Sequence, residues 1–145
     1  MMRNSWVITI AVLGLGMGSG VEPASAQSAA LLLFDGEKGE QFAGCLNCGR
    51  YDQASVCNRY GDYGSRYSSK SIWNRYGDFG SRYATNSPWS RYGAGLRVVD
   101  PKGNYYGRFS LSSYGQSKLP IVRALLAAYE ADDDLEKLRD ALCDS

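Results

Sequence analysis

The sequence predicts a small disulfide-stabilised α+β domain. Two β-hairpins flank a three-block, 16-residue repeat of short helical turns, and a C-terminal helical segment closes the chain. Three observations carry this expectation. Residues 48–95 divide without gaps into three blocks of sixteen. Short apolar runs on each side of the blocks are split by turn-forming residues. Four cysteines follow a segment that reads as a secretory leader.

The leader comes first. Arg3 supplies the positive n-region, residues 6–17 an uncharged apolar stretch, and Ala24-Ser25-Ala26 an A-x-A cleavage site after Pro23. The apolar run is shorter than the roughly 20 residues a membrane span needs, so removal is favoured over anchoring. No later apolar run reaches about 18 residues, so no membrane span is expected after cleavage. The expected organisation is a signal peptide at 1–26, a hairpin–repeat–hairpin domain at 27–117 and an acidic helical tail at 118–145. The location is the periplasm or the cell exterior.

The first hairpin joins residues 31–34 to residues 41–46 through Asp35-Gly36-Glu37-Lys38-Gly39. The second joins 96–99 to 104–111 through Asp100-Pro101-Lys102-Gly103, whose Asp, Pro and Gly suit a type I turn. Both pairs could share one antiparallel sheet. The acidic turns lack the carboxylate ladder of a calcium loop, so turn chemistry accounts for them.

The blocks at 48–63, 64–79 and 80–95 agree at six positions. These are Arg50/Arg66/Arg82, Tyr51/Tyr67/Tyr83, Ser55/Ser71/Ser87, Arg59/Arg75/Arg91, Tyr60/Tyr76/Tyr92 and Gly61/Gly77/Gly93. Such regularity indicates internal duplication, with stacked neighbours stabilising one another. Ser before [VIP]-[CW] suits a helix N-cap, Pro88 a first helical position and the following Gly a left-handed C-cap. The local expectation is therefore a short helical turn at 56–60, 72–76 and 88–92.

In the tail, Leu119, Ile121, Leu125, Leu126 and Tyr129 recur at helical spacing, with Pro120 at a first turn. Asp132-Asp133-Asp134 interrupts, and Leu135, Leu138 and Leu142 form a second apolar stripe. The acidic run reads as a helix start and a solvated face, not a metal site.

An even cysteine count in an exported small domain predicts two disulfides among Cys45, Cys48, Cys57 and Cys143. Cys57 stands where the other blocks have Trp73 and Trp89, and Cys48 where they have Gly64 and Gly80. Cys57 is expected to bridge to Cys48 or Cys45, leaving Cys143 the remaining partner. A zinc site would need these thiols reduced in an oxidising compartment, so no metal is expected. Cys45-Leu46-Asn47-Cys48 has the CxxC spacing of a redox centre, but the block residues replace the helix such a centre uses.

The phrase N-R-Y-G-D-Y-G-S-R-Y-S-S-K-S-I-W-N-R-Y-G, with C-L-N-C upstream, resembles exported bacterial proteins carrying YG-x-YGS-x-YS-x-x-S-x-W repeats. The resemblance spans roughly residues 34–110. This chain carries Arg where those proteins usually carry Lys, and the acidic tail lies outside the pattern. That family brings no established activity, so the resemblance assigns no role to Trp73, Trp89 or the tyrosines.

Function follows from what the chain lacks and repeats. It has no His, which removes the usual general acid–base and all His-dependent nucleophile pairs. No HExxH, GxSxG or P-loop occurs. A paired-carboxylate hydrolase needs no local motif, so enzyme activity is disfavoured but open. Net charge is +1, giving no overall field for nucleic acid. Charge is nevertheless segregated. The blocks carry six Arg and Lys70 against Asp52, Asp62 and Asp78, a net +4. The tail carries Lys118, Arg123, Lys137 and Arg139 against seven acids, a net −3.

The expected function is non-catalytic binding or scaffolding in the cell envelope. Arg59, Arg75, Arg91, Tyr60, Tyr76 and Tyr92 are the candidate ligand residues. An anionic envelope polysaccharide, or another envelope protein, is the candidate partner, and no cofactor is expected. The alternative is a small periplasmic enzyme or thiol–disulfide protein. Buried Trp and Tyr under Arg stems would be the purely structural use of the same residues. The export reading predicts a mature N-terminus at Gln27. The intact mass of protein from the native host checks it, and a retained Met1 in the membrane fraction would overturn it.

Overall fold

The computed structural model describes residues 29–144. The leader and its cleavage site lie outside the described residues. Among the described residues, four short strands and two helices frame a long run of turns. The strands are β1 (Leu32–Asp35), β2 (Phe42–Cys45), β3 (Leu96–Val99) and β4 (Tyr105–Phe109). The helices are α1 (Pro120–Ala131) and α2 (Leu135–Cys143).

The strands form one antiparallel sheet in the order β2-β1-β3-β4. Alternation places Leu33 opposite Val98 and Asp35 opposite Leu96 on the covered face. Leu33, Leu96, Val98 and Phe109 are fully buried there. Val56, Ile72, Trp73 and Trp89 from residues 46–95, with Val122, Leu125 and Leu126 of α1, complete one apolar cluster against this face.

Residues 46–95 contain no helix. This corrects the expected helical turns at 56–60, 72–76 and 88–92. Single turns follow one another at three-residue steps, each closed by an N–H to the carbonyl three residues back. Asn58 bonds to Ser55, Ser71 to Ser68, Asn74 to Ser71, Gly77 to Asn74 and Ser87 to Ala84, at 2.9–3.3 Å. The first residue of many turns also accepts the N–H two residues on through its side chain. Ser65, Ser68, Ser71 and Asn74 do so from Tyr67, Lys70, Trp73 and Tyr76, at 3.0–3.1 Å. A Ser hydroxyl that reads as a helix N-cap here closes a local turn, the competing use of the same group. Another turn-former stands three residues later, so each turn restarts before a helix can propagate.

Gly61, Gly77 and Gly93 do not take the left-handed conformation expected of a C-cap. Space, not a left-handed conformation, requires glycine at Gly93, where a Cβ would overlap the Thr85 carbonyl oxygen, and at Gly64 and Gly80. A Cβ at Gly64 would overlap the Asn58 carbonyl oxygen, and one at Gly80 the Asn74 carbonyl oxygen. The chain passes too close to its own preceding turn at both places for any side chain.

Trp73 Nε1–H donates to the Val56 carbonyl at 2.7 Å, and Trp89 Nε1–H to the Ile72 carbonyl at 2.7 Å. Trp89 also stacks on Tyr129 of α1 at 4.7 Å and meets Phe109 of β4 edge-on at 5.3 Å. It thus joins turns, helix and sheet. In α2, Asp134 is the N-cap and accepts from the Glu136 and Lys137 N–H groups.

Two aspartates organise the strand connections. Burial would raise the Asp35 pKa, but N–H groups of Gln41, Lys38 and Glu40 at 2.6–2.8 Å outweigh it and hold it at about 2. Asp100 is held at about 2, chiefly by the Asn104 side chain, against burial and with help from the Tyr106 hydroxyl. Both carboxylates lie below their ordinary value of 3.8. Each therefore contributes stability that is present above about pH 4 and lost as pH falls toward 2. Asp35→Ala leaves three part-buried N–H groups without their acceptor. It should cost about 1–3 kcal/mol near neutral pH, with the difference from wild type shrinking between pH 4 and pH 2. Urea unfolding across that range checks it.

Candidate functional site

The candidate residues fall in two rows, because Arg-Tyr pairs occupy the middle of turns sixteen residues apart. One row is Arg50-Tyr51, Arg66-Tyr67 and Arg82-Tyr83. The other is Arg59-Tyr60, Arg75-Tyr76 and Arg91-Tyr92. Central residues of a tight turn project away from it. All six tyrosines are exposed, from 77% for Tyr67 to 97% for Tyr60. Val56, Ile72, Trp73 and Trp89 sit at the middle of other turns, and these face the sheet and the helices.

The helices run along the arginines and supply them with acids. Arg50 pairs with Asp144 at 3.1 Å, Arg59 with Asp140 at 2.7 Å and Arg91 with Glu130 at 2.5 Å. Arg66 pairs with Glu136 and Arg82 with Asp133. Among the described residues Arg75 makes no ion pair. All these side chains are about half exposed, where a single pair contributes roughly 0–1 kcal/mol. The acidic tail is therefore a solvated face only in part, since several of its acids turn toward the blocks.

The disulfides are Cys45–Cys48 and Cys57–Cys143. This overturns the expectation that Cys57 bridges to Cys48 or Cys45. The reason lies in its position. The Trp position in a block faces the helices, as the Trp89–Tyr129 stack shows. Cys57 has the same placement two blocks earlier and meets the end of α2 there. All four thiols are consumed, and no group of three or more metal-ligating residues occurs among the described residues.

Between the tyrosines and the helices lie two clefts built from corresponding residues. One, of about 650 Å³, is lined by Arg66, Tyr67, Trp73, Arg75 and Tyr76, with Asp134 and Glu136 opposite. The other, of about 610 Å³, is lined by Arg82, Tyr83, Trp89, Arg91 and Tyr92, with Glu130, Asp132 and Asp133 opposite. Arg66, Tyr67, Trp73, Arg75 and Tyr76 of the first each have their counterpart sixteen positions on in the second, while Asn74 of the first has none. The structure thus brings Arg75, Tyr76, Arg91 and Tyr92 to clefts. Arg59 sits instead beside Glu136 and Arg139 in a smaller cleft of about 300 Å³. Sequence reasoning missed the row at Arg66-Tyr67 and Arg82-Tyr83 and all the helix acids. The opposed charges of blocks and tail were the available signal.

Comparison with known family models, curated proteins and solved structures returns no match. No helix among the described residues is long and apolar enough to cross a membrane.

Cys57–Cys143 spans 86 residues and Cys45–Cys48 spans three. By loop entropy, Cys57→Ser with Cys143→Ser should cost about 4–5 kcal/mol, against about 2 kcal/mol for Cys45→Ser with Cys48→Ser. Urea denaturation of the two double variants checks the order.

Proposed function

We propose that this chain is an exported, non-catalytic binding protein of the cell envelope, and that its ligand face is the double row of tyrosines. One observation carries the reading: six tyrosines on successive turns are held open to solvent at matching positions. Large aromatic surface left uncovered in an ordered array marks contact with a partner. The sixteen-residue blocks act as successive coils of one rigid array, each coil presenting the same pair of rings. Two disulfides suit an oxidising compartment and support the exported location.

An envelope polysaccharide is the preferred partner class. One arginine places its neighbouring ring. Arg66 Nη2 donates to the Tyr67 hydroxyl at 2.7 Å and its guanidinium lies 4.9 Å from the ring centre. Arg59 and Arg91 already hold acids, so among Arg59, Arg75 and Arg91 only Arg75 offers an unpaired charge. The thiol–disulfide reading has less support. Cys45 is fully buried, and turns follow Cys48 where a thiol-activating helix would begin.

The test is retention of envelope fractions on the immobilised mature protein. Wild type should retain a polysaccharide-containing fraction. Changing Tyr60, Tyr76 and Tyr92 together to Ser should abolish retention while far-UV circular dichroism stays the same. Retention unaffected by the triple change would remove this row from the ligand face.

A further inference from the structure

We infer that the two corresponding clefts are successive subsites for a neutral, hydroxyl-rich glycan chain, an inference that rests on the binding role proposed above. The charge inside the clefts excludes the polyanion that six arginines suggest at first sight. In the first cleft Arg66 and Arg75 face Asp134 and Glu136, two charges of each sign. In the second Arg82 and Arg91 face Glu130, Asp132 and Asp133, and Lys137 pairs with Asp132 at 3.3 Å, three charges of each sign. An anionic polymer entering either cleft must displace or approach fixed carboxylates, with no net attraction in return.

A sugar chain fits the same lining. Its hydroxyls both donate and accept, and each cleft offers guanidinium donors beside carboxylate acceptors. Its ring faces are apolar, and exposed tyrosines flank both clefts: Tyr67 and Tyr76 in one, Tyr83 and Tyr92 in the other. The repeated geometry asks for a repeated ligand. A third cleft of about 570 Å³, lined by Arg75, Tyr76, Arg82 and Tyr83, lies between the two and shares residues with both, so one chain can run from the first cleft to the second. Two weak contacts on one chain then act together, as linked sites do.

The probes are hydroxyethylcellulose and soluble starch as neutral glycans and polygalacturonate as the acidic one. Affinity gel electrophoresis of the mature, oxidised protein is run at low and high salt. At least one neutral glycan should retard the protein, with little change at high salt. Tyr76→Ala with Tyr92→Ala should weaken that retardation by roughly tenfold, from two lost aromatic contacts. Both rings are at least 90% exposed, so the fold should survive the change. Thermal unfolding of the double variant verifies that it does. Retardation by polygalacturonate alone, abolished by salt, would overturn the neutral-glycan assignment while leaving the binding role standing. Retardation by a neutral glycan that the double variant keeps in full would overturn the cleft assignment. No retardation by any of the three, together with no retention of envelope material, would overturn both readings.

Discussion

The indole N–H of one block donating to a buried carbonyl of the block before it is the contact on which the rest of the structure depends. Residues 46–95 have no helix and no sheet ladder to satisfy their backbone groups at long range. Most turns close only themselves, a few bonds such as Asp78 N–H to the Ser69 carbonyl and Gly95 N–H to the Thr85 carbonyl link turns within a block, and none of these holds one block on the next. The bonds from Trp73 to Val56 and from Trp89 to Ile72 do so, 17 residues apart in sequence and buried. A buried donor without its acceptor costs about 1–3 kcal/mol, so the indole specifies position as well as filling volume. Its other face is then available to the sheet and to α1, where Trp89 meets Phe109 and Tyr129.

The first block has no block before it to receive such a bond. Cys57 takes the indole's place and is tied to Cys143 instead. The covalent link brings the end of α2 to the one coil that lacks an aromatic anchor. Arg139 of α2, itself buried, adds a long 3.4 Å hydrogen bond to the Gly64 carbonyl. With Trp89 stacked on α1 at the other end, the helices are fastened at both ends of the array. The ion pairs between run along an interface already fixed by these contacts. That order of importance matches their energies, since half-exposed pairs are individually weak.

Much of the strand and helix content was readable in the sequence, because both signals are local. Asp35 and Asp100 open their turns, and Pro120 with the Leu125, Leu126 and Tyr129 spacing marks α1. The form of the blocks was not readable by the same rules. Ser71 before Ile72 and Trp73 satisfies an N-cap pattern and a turn pattern equally, because both use the hydroxyl to accept a nearby N–H. The choice lies with Asn74, which starts the next turn and stops propagation. The disulfide pairing was misjudged because proximity in sequence was weighed above the direction a side chain faces. Equivalence of Cys57 to Trp89 was visible, but that this position faces the helices was not. At the site, Arg and Tyr were legible as a recurring pair, whereas their acid partners lie 39 to 94 residues away.

The acids also determine what the arginines are for. A guanidinium held by a carboxylate is less free to meet a ligand anion, but it remains a planar donor of known position. Arg66 shows the consequence, with Glu136 on one amino group and the Tyr67 hydroxyl on another. The charge pair immobilises the arginine, and the arginine in turn limits the ring. Tyrosine brings large contact area with little side-chain freedom to lose, so a ring already steadied costs still less to order on binding. The helices therefore do more than cover one side of the core. They convert a basic, repetitive surface into a nearly neutral one on which aromatic faces are the most exposed feature, and such a surface favours stacking and hydrogen bonding over attraction to charge.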